Sequence, residues 1–172
     1  MTSIQKCDPT ICCDIHDFRW ESIGPVDVIW SSPPCQRYSI DRTLSKDKDL
    51  ESSDNIVRKT LEIIEALGNV PHLIENPATG KLKSRGLLDH LNMSVVDYCT
   101  FSFPYRKRTA IWSNTYWKPS QPLCNKTCPF SDGKRHFNSA QKGPPGVSFS
   151  TWELYRIPPD LCAEIAQFCD NL

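Results

Sequence analysis

The chain has 172 residues, 39% hydrophobic and 23% charged, which describes a single globular domain and excludes a disordered segment. Twenty basic residues balance twenty acidic ones, so a nucleic-acid contact has to come from a local patch and not from overall charge. No run approaches the roughly 18 apolar residues of a membrane span, and the opening MTSIQKCDPT lacks a secretory layout, so an intracellular setting is expected.

In a reducing setting the nine cysteines, an odd number, read mostly as small buried hydrophobes. Cys12, Cys13, Cys99 and Cys162 all lie inside apolar segments. Thr10 to Ile15 reads as a short buried strand and Val26 to Trp30 as a clearer one. Ser31-Ser32-Pro33-Pro34 ends the second, since proline cannot continue a central strand. A charged loop from Asp41 to about Ser53 leads to a helix capped by Ser53 or Asp54. Along it Ile56, Val57, Leu61, Ile64 and Leu67 recur at helical spacing, and Gly68-Asn69 stops it.

His72-Leu73-Ile74 is a short strand closing at Glu75-Asn76-Pro77. Ser84 caps a second short helix carrying Leu87, Leu88 and Leu91, and Ser94 to Phe101 and Thr109 to Ser113 are two further strands. Residues 115 to 150, rich in Pro, Lys, Ser, Asn and Cys, show no period and read as a long loop or small irregular lobe. A last helix begins near Pro158 and presents Leu161, Ile165 and Phe168 on one face. Strands alternating with helices predict an α/β fold with a largely parallel sheet. The expected division is a core over 1–114, the irregular lobe over 115–150, and a helix over 151–172 packing back on the core.

Two strands end in polar-proline clusters, one holding Cys35 and the other Glu75. In open α/β sheets ligands bind outside the carboxyl ends of strands, so a thiol and a carboxylate share one rim. Cys35, in SSPPCQRYS, follows two stiff prolines that hold it outside the sheet, where a thiolate is a strong nucleophile. A buried structural cysteine is the competing reading. Glu75, in HLIENPATG, ends an apolar run, and desolvation favours its protonated form. A turn residue is its bland alternative. In FPYRKRTAIWSN, Arg106 and Arg108 grip a phosphate or orient a carboxylate if they share a face, and otherwise form a solvated charge run.

Taken in order, Pro34-Cys35-Gln36, Glu75-Asn76 and Arg106-x-Arg108 resemble the catalytic segments of the cytosine-5 DNA methyltransferase family. That family's Pro-Cys-Gln, Glu-Asn-Val and Gln-x-Arg-x-Arg match here as PCQ, ENP and PYRKR, with Pro77 in place of the valine and Pro104 in place of the glutamine. SSPPCQ, IENP, IWSN and the closing IPPDLCAEI look closest to compact phage- and virus-type members, and the resemblance runs from about Ile11 to the C-terminus. It implies a partial Rossmann-like, S-adenosylmethionine-dependent methyltransferase sheet with a small irregular C-terminal lobe. It also implies that the Cys35 thiolate attacks C6 of a flipped cytosine, Glu75 holds N3, and Arg108 with Arg106 binds the base's carbonyl and positions Glu75. Pro34, Gln36, Arg37, Ser39 and Asn76 would surround the nucleotide. The methyl group comes from S-adenosylmethionine, and Asp14 and Ile15 fit the segment that contacts its adenine.

The family's glycine-rich first segment has no counterpart: the first glycine is Gly24, and Asp8 is a poorly placed candidate for the ribose. The chain is therefore expected to begin partway through the cofactor site. An upstream half would then come from another chain or from self-association at an exposed sheet edge. In the lobe, Cys124-x3-Cys128 and His136 offer three zinc ligands with no evident fourth, and unligated loop cysteines are the alternative. Lys118, Lys126, Lys134, Arg135, His136 and Lys142, interleaved with Trp112, Tyr116 and Trp117, suit phosphate contact and base stacking on DNA. Three other functions stay open: an inactive or split methyltransferase half, a zinc-dependent nucleic-acid-binding module, and a cysteine hydrolase. The hydrolase is poorly supported, because none of His16, His72, His90 and His136 stands in a recognisable relation to Cys35.

Overall fold

Short apolar runs, each bounded by proline, glycine or polar residues, build one four-stranded sheet in a computed structural model that describes residues 9–38, 50–138 and 149–172. The strands are β1 (Ile29–Ser31), β2 (His72–Pro77), β3 (Asn92–Asp97) and β4 (Arg108–Ser113), in spatial order β1-β2-β4-β3. β1 runs parallel to β2, with Ile29 opposite His72, whereas β4 is antiparallel to both of its neighbours. The sheet is therefore mixed, which corrects the expectation of a largely parallel one. Residues 98–107 join β3 to β4, a link shorter than the dozen or so residues that a parallel crossover needs.

Each face of the sheet is covered. On one side α1 (Leu50–Ala66) packs Val57 and Ile64 against Ile74, Ala110 and Trp112, with Tyr38 fully buried among them. On the other, α3 (Pro159–Cys169) packs Leu161 and Ile165 against Leu73, Val96, Tyr98 and Ile111. Complete burial of a side chain such as Leu161 contributes about 1.5–3 kcal/mol. A short helix, α2 (Thr151–Tyr155), precedes α3 and is fixed by a capping box between Ser150 and Glu153. Among the described residues no helix is long and apolar enough to cross a membrane.

Several elements differ from the sequence expectation. Residues 10–14 form no strand: Asp14 accepts a hydrogen bond from the His16 amide and turns the chain into a single 3-10 turn at Ile15–Asp17, leaving Ile11 exposed. α1 already includes Leu50, so Ser53 and Asp54 lie inside the helix and not at its cap. Asp54 is buried there because Tyr38 and Arg85 satisfy its carboxylate. The expected helix after Ser84 is a 3-10 turn at Lys81–Ser84 that ends where the helix was to begin. β3 stops at Asp97, and Tyr98–Phe101 forms another 3-10 turn closed by Ser102 at φ 59°. β2 is longer than expected, so Glu75 and Asn76 are strand residues. Cys12, Cys13 and Cys162 are exposed, and only Cys99 of the four is buried. Ser39, Asp8, Lys142 and most of the charged loop after Asp41 lie outside the described residues.

Candidate active site

The carboxyl ends of β1 and β2 are held together by one side chain. Asn76 is fully buried, and its Nδ2 donates to the Pro33 carbonyl at 2.9 Å, which ties the Pro-Pro segment to β2. Cys35 begins a turn that closes when the Tyr38 amide donates to the Cys35 carbonyl. Tyr38 anchors that turn from below: its hydroxyl donates to Asp54, and its carbonyl accepts from the Lys81 amide. Gly80 permits this closeness, since a Cβ there would stand 3.1 Å from the Pro77 carbonyl oxygen.

Side-chain alternation along β2 sends Asn76 toward α1 and Glu75 toward α3. On the α3 side Ser32, Pro33, Pro34, Cys35, Gln36, Glu75, Pro77, Lys107 and Tyr155 enclose a cavity of about 310 Å³. Glu75 is 6% exposed. Its Oε1 accepts from the Tyr98 hydroxyl at 3.1 Å and lies 3.4 Å from Lys107 Nζ. Lys107 is fixed by two more contacts, a hydrogen bond to the Leu154 carbonyl and the face of the Tyr98 ring. Burial pushes the Cys35 thiol above its ordinary value; the Lys107 ammonium opposes that rise and Glu75 adds to it. Burial and the neighbouring Glu75 likewise push the Tyr98 phenol up, so it stays a hydrogen-bond donor at neutral pH.

A second cleft, of about 570 Å³, adjoins the first and shares Ser32, Pro33 and Pro34 with it. Asp14, Ile15, His16, Ser31, Ser52, Asn55, Ile56 and Thr60 complete its lining among the described residues, with no glycine among them.

The structure brings Pro34, Cys35, Gln36 and Glu75 to one pocket and Asp14 and Ile15 to the adjoining one. Gln36 Nε2 donates to the Tyr155 hydroxyl, and Arg37 is exposed. Arg106 and Arg108 do share a face, but it is not the face of Glu75. Arg108 grips the buried Asp97 with two hydrogen bonds, at 3.0 and 2.7 Å, and Arg106 lies 3.5 Å from the same carboxylate. The cation on Glu75 is Lys107, between them in sequence and so on the opposite side of the strand. Sequence reasoning passed over Lys107, Tyr98 and Tyr155. Period-two alternation back from the buried Ile111 through Thr109 would have found the first of these.

In the lobe, Cys124, Cys128 and His136 converge and are joined by Cys99 from the turn after β3. The four ligand atoms all lie within 4.8 Å of one another.

Cys35 and the buried Glu75 thus line one small pocket, with a second cleft alongside. No protein-family model matches the chain. Over 163 residues it is 32% identical to a probable DNA (cytosine-5)-methyltransferase of Frog virus 3 (isolate Goorha), a match spanning 83% of this chain and 75% of the relative. The chain belongs to the DNA (cytosine-5)-methyltransferase family and is similar to this viral member of it.

Proposed function

We propose that the chain methylates C5 of cytosine in DNA, with Cys35 as nucleophile and S-adenosylmethionine as methyl donor. The observation that carries this reading is the shared wall: Ser32, Pro33 and Pro34 separate the pocket of Cys35, Glu75 and Lys107 from the cleft of Asp14 and Ile15. A base in one and a methyl donor in the other would meet at that wall.

The cleft fits the donor. Ile15, Ile56, Pro33 and Pro34 give it apolar walls, and one Asp14 oxygen caps the His16 amide while the other is left for an amino group or a hydroxyl. When bound, S-adenosylmethionine supplies an electrophilic methyl group. Cys35, its proton passed to a base, would bond through sulfur to C6 as the C5–C6 π electrons move toward C5; C5 would then take the methyl group as the donor's sulfur–methyl bond breaks, the electron pair staying on that sulfur and leaving S-adenosylhomocysteine. Loss of the C5 proton to a base then restores the double bond and expels the thiolate. A proton shared between N3 and the Glu75 oxygen that Tyr98 and Lys107 do not occupy would hold the base. Lys107 takes the cationic role that the resemblance had given to Arg108 and Arg106, stabilising charge that develops on the ring. Asn76 positions the Pro-Pro segment, and Gln36 and Arg37 border the flipped nucleotide.

Incubation with 5-fluorocytosine DNA tests the reading by mass spectrometry, because fluorine blocks the final elimination. An adduct on Cys35 that needs S-adenosylmethionine and is absent in Cys35→Ala is the expected result. No adduct from a folded chain would overturn independent activity. One observation favours a second reading, a split enzyme. Among the described residues β1 pairs only with β2, which leaves its outer edge open to a strand from another chain.

A further inference from the structure

We propose that Cys99, Cys124, Cys128 and His136 bind one structural zinc ion, and that this ion fastens the irregular lobe to the catalytic sheet. The site needs Cys99, which lies 25 residues before the next ligand and belongs to the turn after β3 and not to the lobe.

Geometry supports a tetrahedral ion. With Zn–S near 2.3 Å and Zn–N near 2.0–2.1 Å, a tetrahedral centre sets sulfur and nitrogen about 3.6 Å apart. His136 Nε2 lies 3.4 Å from Cys99 Sγ and 3.2 Å from Cys124 Sγ. One imidazole nitrogen offers a single donor or acceptor position, so hydrogen bonding does not account for several thiols gathered around it. All four cysteine and histidine ligands are present, which closes the coordination shell and marks a structural rather than a catalytic ion.

Neighbouring groups position the ligands. Cys99 is buried. The Lys126 amide donates to Cys124 Sγ at 3.3 Å, with Lys126 at φ 74° to allow the tight turn. Asp97 accepts from the Cys124 amide at 3.1 Å, so the carboxylate held by Arg108 also orients a ligand.

The lobe needs such a fastening. Between Thr115 and Asn138 it has no helix or strand, only one isolated bridge from Ser131 to His136, and Phe137 and Leu123 are largely exposed. Trp117 packs into the main core, and a metal gives the rest of this segment, which has no core of its own, a second anchor. The Arg106 amide donates to the Asn138 carbonyl, and Asn138 Nδ2 donates to the Pro104 carbonyl. The lobe thus grips the segment that leads directly into Lys107, and the ion steadies one wall of the candidate active site.

Elemental analysis of the full chain should give one zinc per chain. Chelator competition should show Cys99→Ser weakening zinc by at least the ~100-fold that losing a ligand's hydrogen-bond partner can cause, while Cys162→Ser leaves it unchanged. Cobalt substitution gives an independent readout that needs no ligand to be removed. The wild type should show tetrahedral bands with strong thiolate charge transfer, and His136→Cys should keep the ion and add a fourth thiolate. Zinc removal should speed hydrogen exchange in 104–107 more than in α1. Absence of zinc from wild type, unaltered affinity in Cys99→Ser, or a disulfide among these cysteines in reduced protein would each overturn the proposal.

Discussion

Replacing Lys107 by methionine isolates the cation that the fold gives to Glu75. The ammonium lies 3.4 Å from Glu75 Oε1, and the two side chains are 14% and 8% exposed. At an effective dielectric near 20 the gross attraction at that distance is about 5 kcal/mol. Desolvation of both groups offsets much of it, yet removing one partner of a buried pair leaves the other uncompensated and costs about 3–5 kcal/mol. The Tyr98 hydroxyl still donates to the same oxygen and retains part of that. The expected loss for Lys107→Met is therefore about 2–3 kcal/mol in urea unfolding. Glu75→Gln should suppress it, with a coupling above about 1 kcal/mol in the double-mutant cycle. Trapping on 5-fluorocytosine DNA should slow by about 100-fold in Lys107→Met, whereas Arg106→Met should slow it by less than about tenfold. A destabilisation below about 0.5 kcal/mol, as for a surface ion pair, or strictly additive double mutants would refute the argument. So would an Arg106 variant slower to trap than the Lys107 variant.

Asn76→Ala removes the side-chain hydrogen bond from β2 to the Pro-Pro segment and leaves the Pro33 carbonyl without that donor. It should cost about 1–3 kcal/mol in urea unfolding and slow trapping at Cys35 by roughly 100-fold through misplacement of the thiol; unaltered trapping would show that the prolines alone hold it. Gly80→Ala brings a Cβ within 3.1 Å of the Pro77 carbonyl oxygen, so thermal unfolding should reveal a loss of about 1–3 kcal/mol, and a neutral result would mean the turn yields freely. Asp54 provides the pH signature. Burial alone would raise its carboxyl, but hydrogen bonds from Arg85 and Tyr38, with the charges of Arg85 and Arg58, hold it below the ordinary 3.8. A carboxyl lowered by folding contributes stability that is present above its unfolded value and lost as pH falls through its folded value. Urea midpoints should therefore stay level from about pH 7 to 5 and fall below about pH 4, with Asp54→Asn flattening the fall. A wild-type midpoint that declines equally in Asp54→Asn would assign the acid sensitivity elsewhere.

Much of the architecture was legible because burial and stereochemistry leave local marks. Pro33-Pro34 had to end β1, Gly68-Asn69 follows the end of α1, and the spacing of Leu161, Ile165 and Phe168 marked the buried side of α3. The ordered segments around Cys35 and Glu75 pointed to the family through residue identity alone, before any contact between them was known. Strand direction was not legible, because it depends on which strand lies beside which. The insertion of β4 between β2 and β3 made the sheet mixed. Nor did residues 10–14 become a strand, although their apolar residues suited one, since Asp14 turned the chain instead.

What the sequence by itself determined is the chemistry on offer: a thiol after two prolines, a glutamate at a strand end, a cluster of cations at the start of β4, and loop cysteines with a histidine among which a metal was one of two readings. Tertiary structure decided which of these meet. Arg106, Lys107 and Arg108 are equivalent in composition, but the two-residue pleat of the strand turns Lys107 to Glu75 and the arginines to Asp97. Cys99 reads in sequence as one more small buried residue, and only the turn after β3 carries it to Cys124, Cys128 and His136. Local sequence encodes which groups are present and how each segment prefers to bend. Contacts between residues distant in the chain arise only when the sheet and its two covering layers close, and those contacts build this site.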